Sequence, residues 1–266
     1  MSNVHQVGVI RLGVLRGGLE FRQFLRQKEV VFFSLLFPVM LLFIFGTIFS
    51  KNLSDGVSFA QYFIAGMIAS GLVNTGFQNL AILIPMERDF GTLKRLRGTP
   101  LSPISYFIGK AVVVALSTLL QVIILIAMGW AFFHLHMPRS AELWLRFFAI
   151  LLLGSICSTV LGIAISSLPK SGRGASAVIS PIVILLQFFS GVFFVFTQLP
   201  HWMQQIASIF PLRWLTEGMR SVFLPDAFKT QELTHSWEVG KMFAVLAAWA
   251  VVGTLFAIRS FKWSEE

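Results

Sequence analysis

The chain reads as six long apolar stretches divided by short charged or prolyl segments. Residues 30–49, 62–84, 175–196 and 242–258 carry no charged side chain; 104–133 carries only Lys110, and 143–168 only Arg146. An α-helix rises about 1.5 Å per residue, so about 20 apolar residues cross a hydrocarbon core of ~30 Å. The pattern predicts an all-α, polytopic membrane bundle of six transmembrane helices, the last of them the shortest. Two further stretches fit neither span nor loop. Residues 7–24 alternate Ile10, Val14, Leu15, Phe21 and Phe24 with Arg11, Arg16 and Arg22, which predicts an amino-terminal helix lying in the membrane interface. Residues 197–224 hold Pro200, Trp202, Pro211 and Trp214. They are too broken to span and too apolar for a solvated loop, which predicts half-helices in the outer leaflet. The chain is expected to form one membrane domain over 1–266: residues 1–29 interfacial, 30–258 spanning, 259–266 a tail.

Composition agrees with lipid as the solvent. Of the 266 residues, 56% are hydrophobic and 12% charged, against about 25% charged in ordinary soluble chains. The formal net charge of +9 lies mostly between spans. Fourteen of the 21 basic residues fall before the first span, between spans two and three (counting Lys110 just inside the third), between four and five, and after the sixth. The more basic set of loops faces the cytoplasm in membrane proteins, so both termini are expected there, in the inner or plasma membrane. No basic face interleaved with stacking aromatics exists for nucleic acid. The first 29 residues have no continuous apolar core, so no cleavable signal peptide is expected.

Close helix packing is predicted by small pairs four apart: Ala65 with Ala69, Gly66 with Ser70, Gly154 with Ser158, and Ser158 with Gly162. Pro38 and Pro181 are expected to kink their spans. No internal repeat is evident.

Reaction machinery is missing from the pattern. There is no Gly-x-x-x-x-Gly-Lys-[Ser/Thr] run to cradle a nucleotide, and no Ser, His and carboxylate in a nucleophile-elbow context. The interiors of all six spans lack Asp and Glu, which weighs against ion-coupled transport. His134 and His136 stand two apart, a spacing that points the rings to different sides of a helix, and Cys157 is the only cysteine; no metal site is expected. The chain is read as non-catalytic, with no cofactor of its own. Uncharged polar residues do enter the spans: Asn74, Gln78, Asn79, Gln121 and Gln187. Asn74 and Gln78 share one helix face and are candidates for a translocation path. Phe188, Phe189 and Phe193 are candidates for a soft aromatic surface along it.

The segment after the second span is Glu87-Arg88-Asp89-Phe90-Gly91-Thr92-Leu93-Lys94-Arg95-Leu96-Arg97-Gly98-Thr99-Pro100-Leu101-Ser102. Orientation in the membrane needs only basic residues. Here Phe90, Leu93 and Leu96 recur at three-residue spacing, which predicts a short amphipathic helix with an apolar docking side and Glu87 at its start.

This segment resembles the permeases of type 2 ABC transporters, in particular the daunorubicin/doxorubicin-resistance-like drug exporters. Their pattern, Glu-Arg-x-x-Gly-Thr-Leu-x-x-Leu-x-x-Thr-Pro-Leu-Ser, is met by Glu87, Arg88, Gly91, Thr92, Leu93, Leu96, Thr99, Pro100, Leu101 and Ser102. Phe189-Ser190-Gly191-Val192-Phe193-Phe194 is a second, weaker family-like stretch. The resemblance implies that Glu87, Arg88, Asp89, Phe90, Gly91, Thr92, Leu93, Lys94 and Leu96 form a coupling helix seated on a separate ATPase. Lys94 stands where many members carry an acid. The resemblance further implies two ATPase subunits, which bind ATP and Mg, and a second permease as homodimer or paralogue. The substrate implied is a hydrophobic or amphipathic compound such as a drug, antibiotic or lipid, exported from the cell. Export of polysaccharide or glycolipid, ion-coupled transport and a non-transporting membrane scaffold are the competing readings.

Overall fold

In the computed structural model, residues 8–49, 53, 56–99, 101–169 and 171–260 are described. Lys51, Pro100, Lys170 and Lys262, which entered the charge pattern and the motif, lie outside them. Among the described residues, besides two short 3-10 turns, ten helices run in order: α1 (Val9–Arg26), α2 (Lys28–Ile48), α3 (Phe59–Asp89), α4 (Thr92–Arg97), α5 (Pro103–Phe133), α6 (Ala141–Ile165), α7 (Gly172–Phe189), α8 (His201–Ile209), α9 (Pro211–Phe223) and α10 (Val239–Ser260). Six of these, α2, α3, α5, α6, α7 and α10, are long and apolar enough to cross a membrane.

Serine starts four of the spans. Ser58, Ser102, Ser140 and Ser171 each accept a hydrogen bond from the amide three residues on, which satisfies a helix-start donor. At α3 the bond is reciprocal, since Gln61 Oε1 accepts from the Ser58 amide at 3.3 Å.

α3 is the shaft of the bundle. In its most apolar window 67% of residues are buried, against 22% in α2 and in α10. α2, α5, α6 and α9 pack around it. The outward faces of α2 and α10 carry Phe33, Met40, Leu255 and Ile258, which suits a hydrocarbon solvent. Predicted small pairs do form close crossings. A Cβ on Gly162 of α6 would meet the Gly76 carbonyl of α3 at 2.6 Å, and one on Gly76 would meet Ser158 Cβ at 2.6 Å.

The helix α1 has two unlike faces. Ile10, Leu15 and Leu19 are exposed. The other face carries Gly13 and Gly17, whose missing side chains let α1 lie on α5. A Cβ at either would come within 2.9 Å and 2.8 Å of the Ser105 and Gly109 carbonyls. Ser105 Oγ also donates to the Val9 carbonyl at 2.8 Å. At the same end, Ala257 of α10 packs in one cluster with Leu80, Leu93 and Tyr106. The first helix and the end of the last therefore meet at one pole of the bundle, hereafter the α4 pole.

Two spans depart from their expected bounds. α7 ends at Phe189 rather than near 196, because Gly191 turns back with φ 72° and gives its carbonyl to Arg220 at 2.5 Å. α3 runs on to Asp89, taking Glu87 and Arg88 into its last turn.

Between α7 and α10 lie α8 and α9, nine and thirteen residues long and too short to span. All of α9 from Leu212 to Phe223 is buried, including Arg213, Glu217 and Arg220. Arg213 pairs with Glu217. Burial pushes Arg213 down to about 10, so it remains charged at neutral pH. Arg220 pairs with Glu232 at 3.3 Å, and its guanidinium sits 4.1 Å over the Tyr62 ring. The fold makes these charges an internal network that fastens α9 to α3.

Candidate functional site

At the α4 pole the charges of the motif turn inward. Lys110, two turns into α5, is 1% exposed. Its Nζ donates to Glu87 Oε1 at 2.5 Å and to Glu20 Oε2 at 3.0 Å. Tyr106 donates its hydroxyl to Glu87 Oε2 at 2.7 Å, and Arg16 pairs with Glu20 Oε1 at 2.8 Å. An isolated buried ammonium costs several kcal/mol in desolvation, so it requires such partners. The four ionised groups sum to zero charge, and they join α1, α3 and α5. The next two residues act likewise. Arg88 donates to the Pro169 carbonyl at 3.0 Å, and Asp89 Oδ2 accepts from the Gly172 amide at 2.6 Å at the start of α7. Glu87, Arg88 and Asp89 thus fasten the end of α3 to three neighbours.

The short helix α4 follows. Gly91 turns the chain with φ 68°, a left-handed conformation that costs glycine little, and Thr92 begins the helix. Leu93 is 1% exposed and packs with Leu80, Ile84, Tyr106 and Ile163; Leu96 lies against the same cluster. Phe90 is 69% exposed, and Lys94 is exposed. Two expectations are corrected here. Glu87 does not start the short helix, because α3 stays helical through Asp89. Phe90, Leu93 and Leu96 do not form one apolar side, because the turn at Gly91 falls between them and breaks the three-residue spacing. The leucines face the bundle interior and Phe90 faces out.

Midway along the bundle, a cavity of about 340 Å³ opens between α2, α3, α5 and α7. Both wide helical turns among the described residues border it. α2 is π-helical over Phe32–Leu36, just before Pro38, and α3 over Val73–Gln78. Proline at 38 cannot donate to Ser34 and crowds that carbonyl, which a widened turn relieves. π-turns are rare and concentrate at functional sites. Here they bring Ser34, Asn74, Thr75 and Gln78 to the cavity wall.

The polar wall is partly bonded to itself. Gln187 donates to Asn74 Oδ1 at 2.8 Å, Asn74 to Ser70 at 3.4 Å, and Gln78 to Ser180 at 3.2 Å. Thr75 and Thr118 share a bond of 2.7 Å. Gln121 and Ser117, one turn apart on α5, complete it. Gly71 makes room for Gln121, since a Cβ there would come within 2.6 Å of Oε1. Phe33, Phe37, Leu41 and Phe193 supply the apolar wall.

Of the predicted path residues, Asn74, Gln78 and Phe193 line this cavity. Phe188 and Phe189 do not. Phe188 packs on Phe193 and Phe194, and Phe189 meets Trp202 edge-on at 5.6 Å. Sequence reading noted Gln121 and Gln187 as polar but gave them no place, and it missed Ser117. An i, i+4 pair of Ser117 and Gln121 in an otherwise apolar span was the available signal. A second cavity, about 240 Å³ and lined by Phe77, Leu161, Ile182 and Trp249 among others, is almost wholly apolar.

The family pattern described as ABC-2 type transporter matches residues 19–224, from within α1 to the end of α9. The chain is 27% identical over 252 residues to a transport permease of Porphyra purpurea, ycf38, covering 91% of this chain and 86% of that one. It is 28% identical over 173 residues to YbhR of Escherichia coli, named a multidrug ABC transporter permease, covering 63% of this chain and 45% of that one. It is 22% identical over 192 residues to the transport permease YvfS of Bacillus subtilis, covering 72% and 77%. The matched region contains the polar cavity, Glu20, Glu87 and Lys110 of the charge cluster, and the α4 turn. The chain belongs to the ABC-2 type transporter family and is a multi-pass membrane permease of an ABC transporter system.

Proposed function

We propose that this permease exports a hydrophobic or amphipathic compound through the cavity between α2, α3, α5 and α7, driven by a separate ATPase. The observation that carries the reading is that cavity. It places neutral amides and hydroxyls in the middle of apolar spans, where polar groups are expensive and mark solute paths, and both π-turns border it. YbhR's printed name includes multidrug transport, and the motif at 87–102 resembles drug exporters, which supports a drug, antibiotic or lipid as substrate. The α4 pole is cytoplasmic in this reading, because the more basic loops belong there. α4 is then the coupling helix, with Phe90 and Lys94 presented to the ATPase. The cluster of Glu87, Lys110 and Glu20 carries its displacement to α1 and α5. Two permeases, as homodimer or with a paralogue, stand over two ATPases, and ATP with Mg is bound there and not by this chain.

The test is reconstitution of the permease with its co-purifying ATPase in vesicles loaded with fluorescent amphiphiles, Nile red among them. ATP-dependent efflux, with hydrolysis stimulated by the exported compound, is expected. Efflux that needs an ion gradient and ignores ATP would overturn the reading.

A further inference from the structure

The chemistry of the cavity wall selects among amphiphiles. Among the described residues, none of the side chains lining it is ionisable. The nearest charge on α5, Lys110, is spent on Glu20 and Glu87. A charged head entering the cavity would leave water with no counter-ion to meet it, a loss that neutral hydrogen bonds do not recover. Phenylalanine rings attract cations least among the aromatics and do not replace a carboxylate.

Two wall groups lack partners. Gln121 is 2% exposed and Ser117 is 4% exposed, yet Gln121 Oε1 and Ser117 Oγ have no hydrogen-bond partner among the described residues. Buried polar groups are seldom left so. They sit one helical turn apart, beside the bonded chain of Gln187, Asn74 and Ser70. An amide and a hydroxyl together offer both donors and acceptors, so their complement is a head that carries both. The volume, about 340 Å³, is at the small end of ligand pockets. Phe33, Phe37 and Phe193 give the apolar remainder of the molecule a wall.

We propose that the cavity is a binding site for the uncharged, hydroxyl- or amide-bearing head of an amphipathic molecule, with Gln121 and Ser117 as its specificity-determining contacts. Calling this molecule a substrate rests on the export reading; that it binds does not.

The experiment uses the full chain in lipid nanodiscs, without ATPase. Octyl glucoside, octyltrimethylammonium and octyl sulfate, below their micellar concentrations, are titrated calorimetrically against protein-bearing and empty discs. Octyl glucoside is expected to saturate one site at least about tenfold more tightly than either ion. Gln121→Leu should weaken it about tenfold and Ser117→Ala about threefold, with melting temperatures held near that of the parent. Equal binding of the ions, no saturation above empty discs, or parental affinity in both variants would overturn the proposal. Loss of ATP-driven efflux with glucoside binding intact would instead refute the export reading.

Discussion

Lys110 Nζ lies 2.5 Å from Glu87 Oε1, joining the start of one span to the end of the one before it. The pair sits where α3 gives way to α4, and Glu20 draws α1 into the same contact. One ammonium group therefore ties α1, α3 and α5 together beside the start of α4.

Replacing that ammonium tests how much rests on it. Lys110→Met leaves Glu20 and Glu87 facing each other with no cation between them except Arg16. Stability should fall by about 3 kcal/mol, read as a lower melting temperature in detergent. Adding Glu20→Gln and Glu87→Gln to the same chain should restore most of the loss, because the stranded charges go with it. A triple variant no more stable than Lys110→Met would show that the lysine acts by packing.

The two apolar residue types of the 87–102 segment should separate by readout. Leu93 is buried, so Leu93→Ala should cost about 2–4 kcal/mol of stability whether or not the ATPase is present. Phe90 is exposed, so Phe90→Ala should move stability by less than about 0.5 kcal/mol while reducing co-purification of the ATPase. If Leu93→Ala melts like the parent, the inward packing of α4 is wrong.

These opposite fates show where the sequence was readable. Six spans were legible because hydrocarbon requires long apolar runs, and flanking charge or proline marks their ends. The breaks around Pro200 and Pro211 were legible because proline cannot continue a helix. Residues 90, 93 and 96 misled because a regular spacing carries no mark of a turn inside it, and Gly91 was read as a motif letter rather than as a left-handed hinge. The Glu20, Glu87 and Lys110 cluster was hidden for another reason: its members lie up to 90 positions apart, and nothing local fixes that pairing. The π-turn in α3 has no proline to mark it, unlike the one in α2 before Pro38, and hydrophobic periodicity does not report it.

Arg220 is the corresponding fastening at the opposite end of α3. Arg220→Ala removes the donor to the Gly191 carbonyl and leaves Glu232 buried without its cation. A loss of about 3 kcal/mol is expected, and Glu232→Gln in the same chain should recover part of it. Arg139→Ala, outside this network, is the control and should be nearly neutral. Thermal unfolding of the parent and the three purified variants decides the matter.

Two glycines of the bundle should behave differently for a geometric reason. An alanine at Gly162 would drive its Cβ within 2.6 Å and 2.9 Å of the Gly76 and Phe77 carbonyls, which belong to backbone and cannot step aside. Separation of α6 from α3 is the relief available, at about 1–3 kcal/mol. An alanine at Gly71 would meet Gln121 Oε1 at 2.6 Å, the far end of a flexible side chain. The amide can rotate away at little cost in stability, but it then leaves its place in the cavity wall. Gly162→Ala should therefore lower the melting temperature. Gly71→Ala should keep that temperature while weakening octyl glucoside binding several-fold, as Gln121→Leu does. Combining Gly71→Ala with Gln121→Leu should give no further loss, since both remove the same group. An additive loss would mean that Gly71 acts on the cavity by a route other than Gln121.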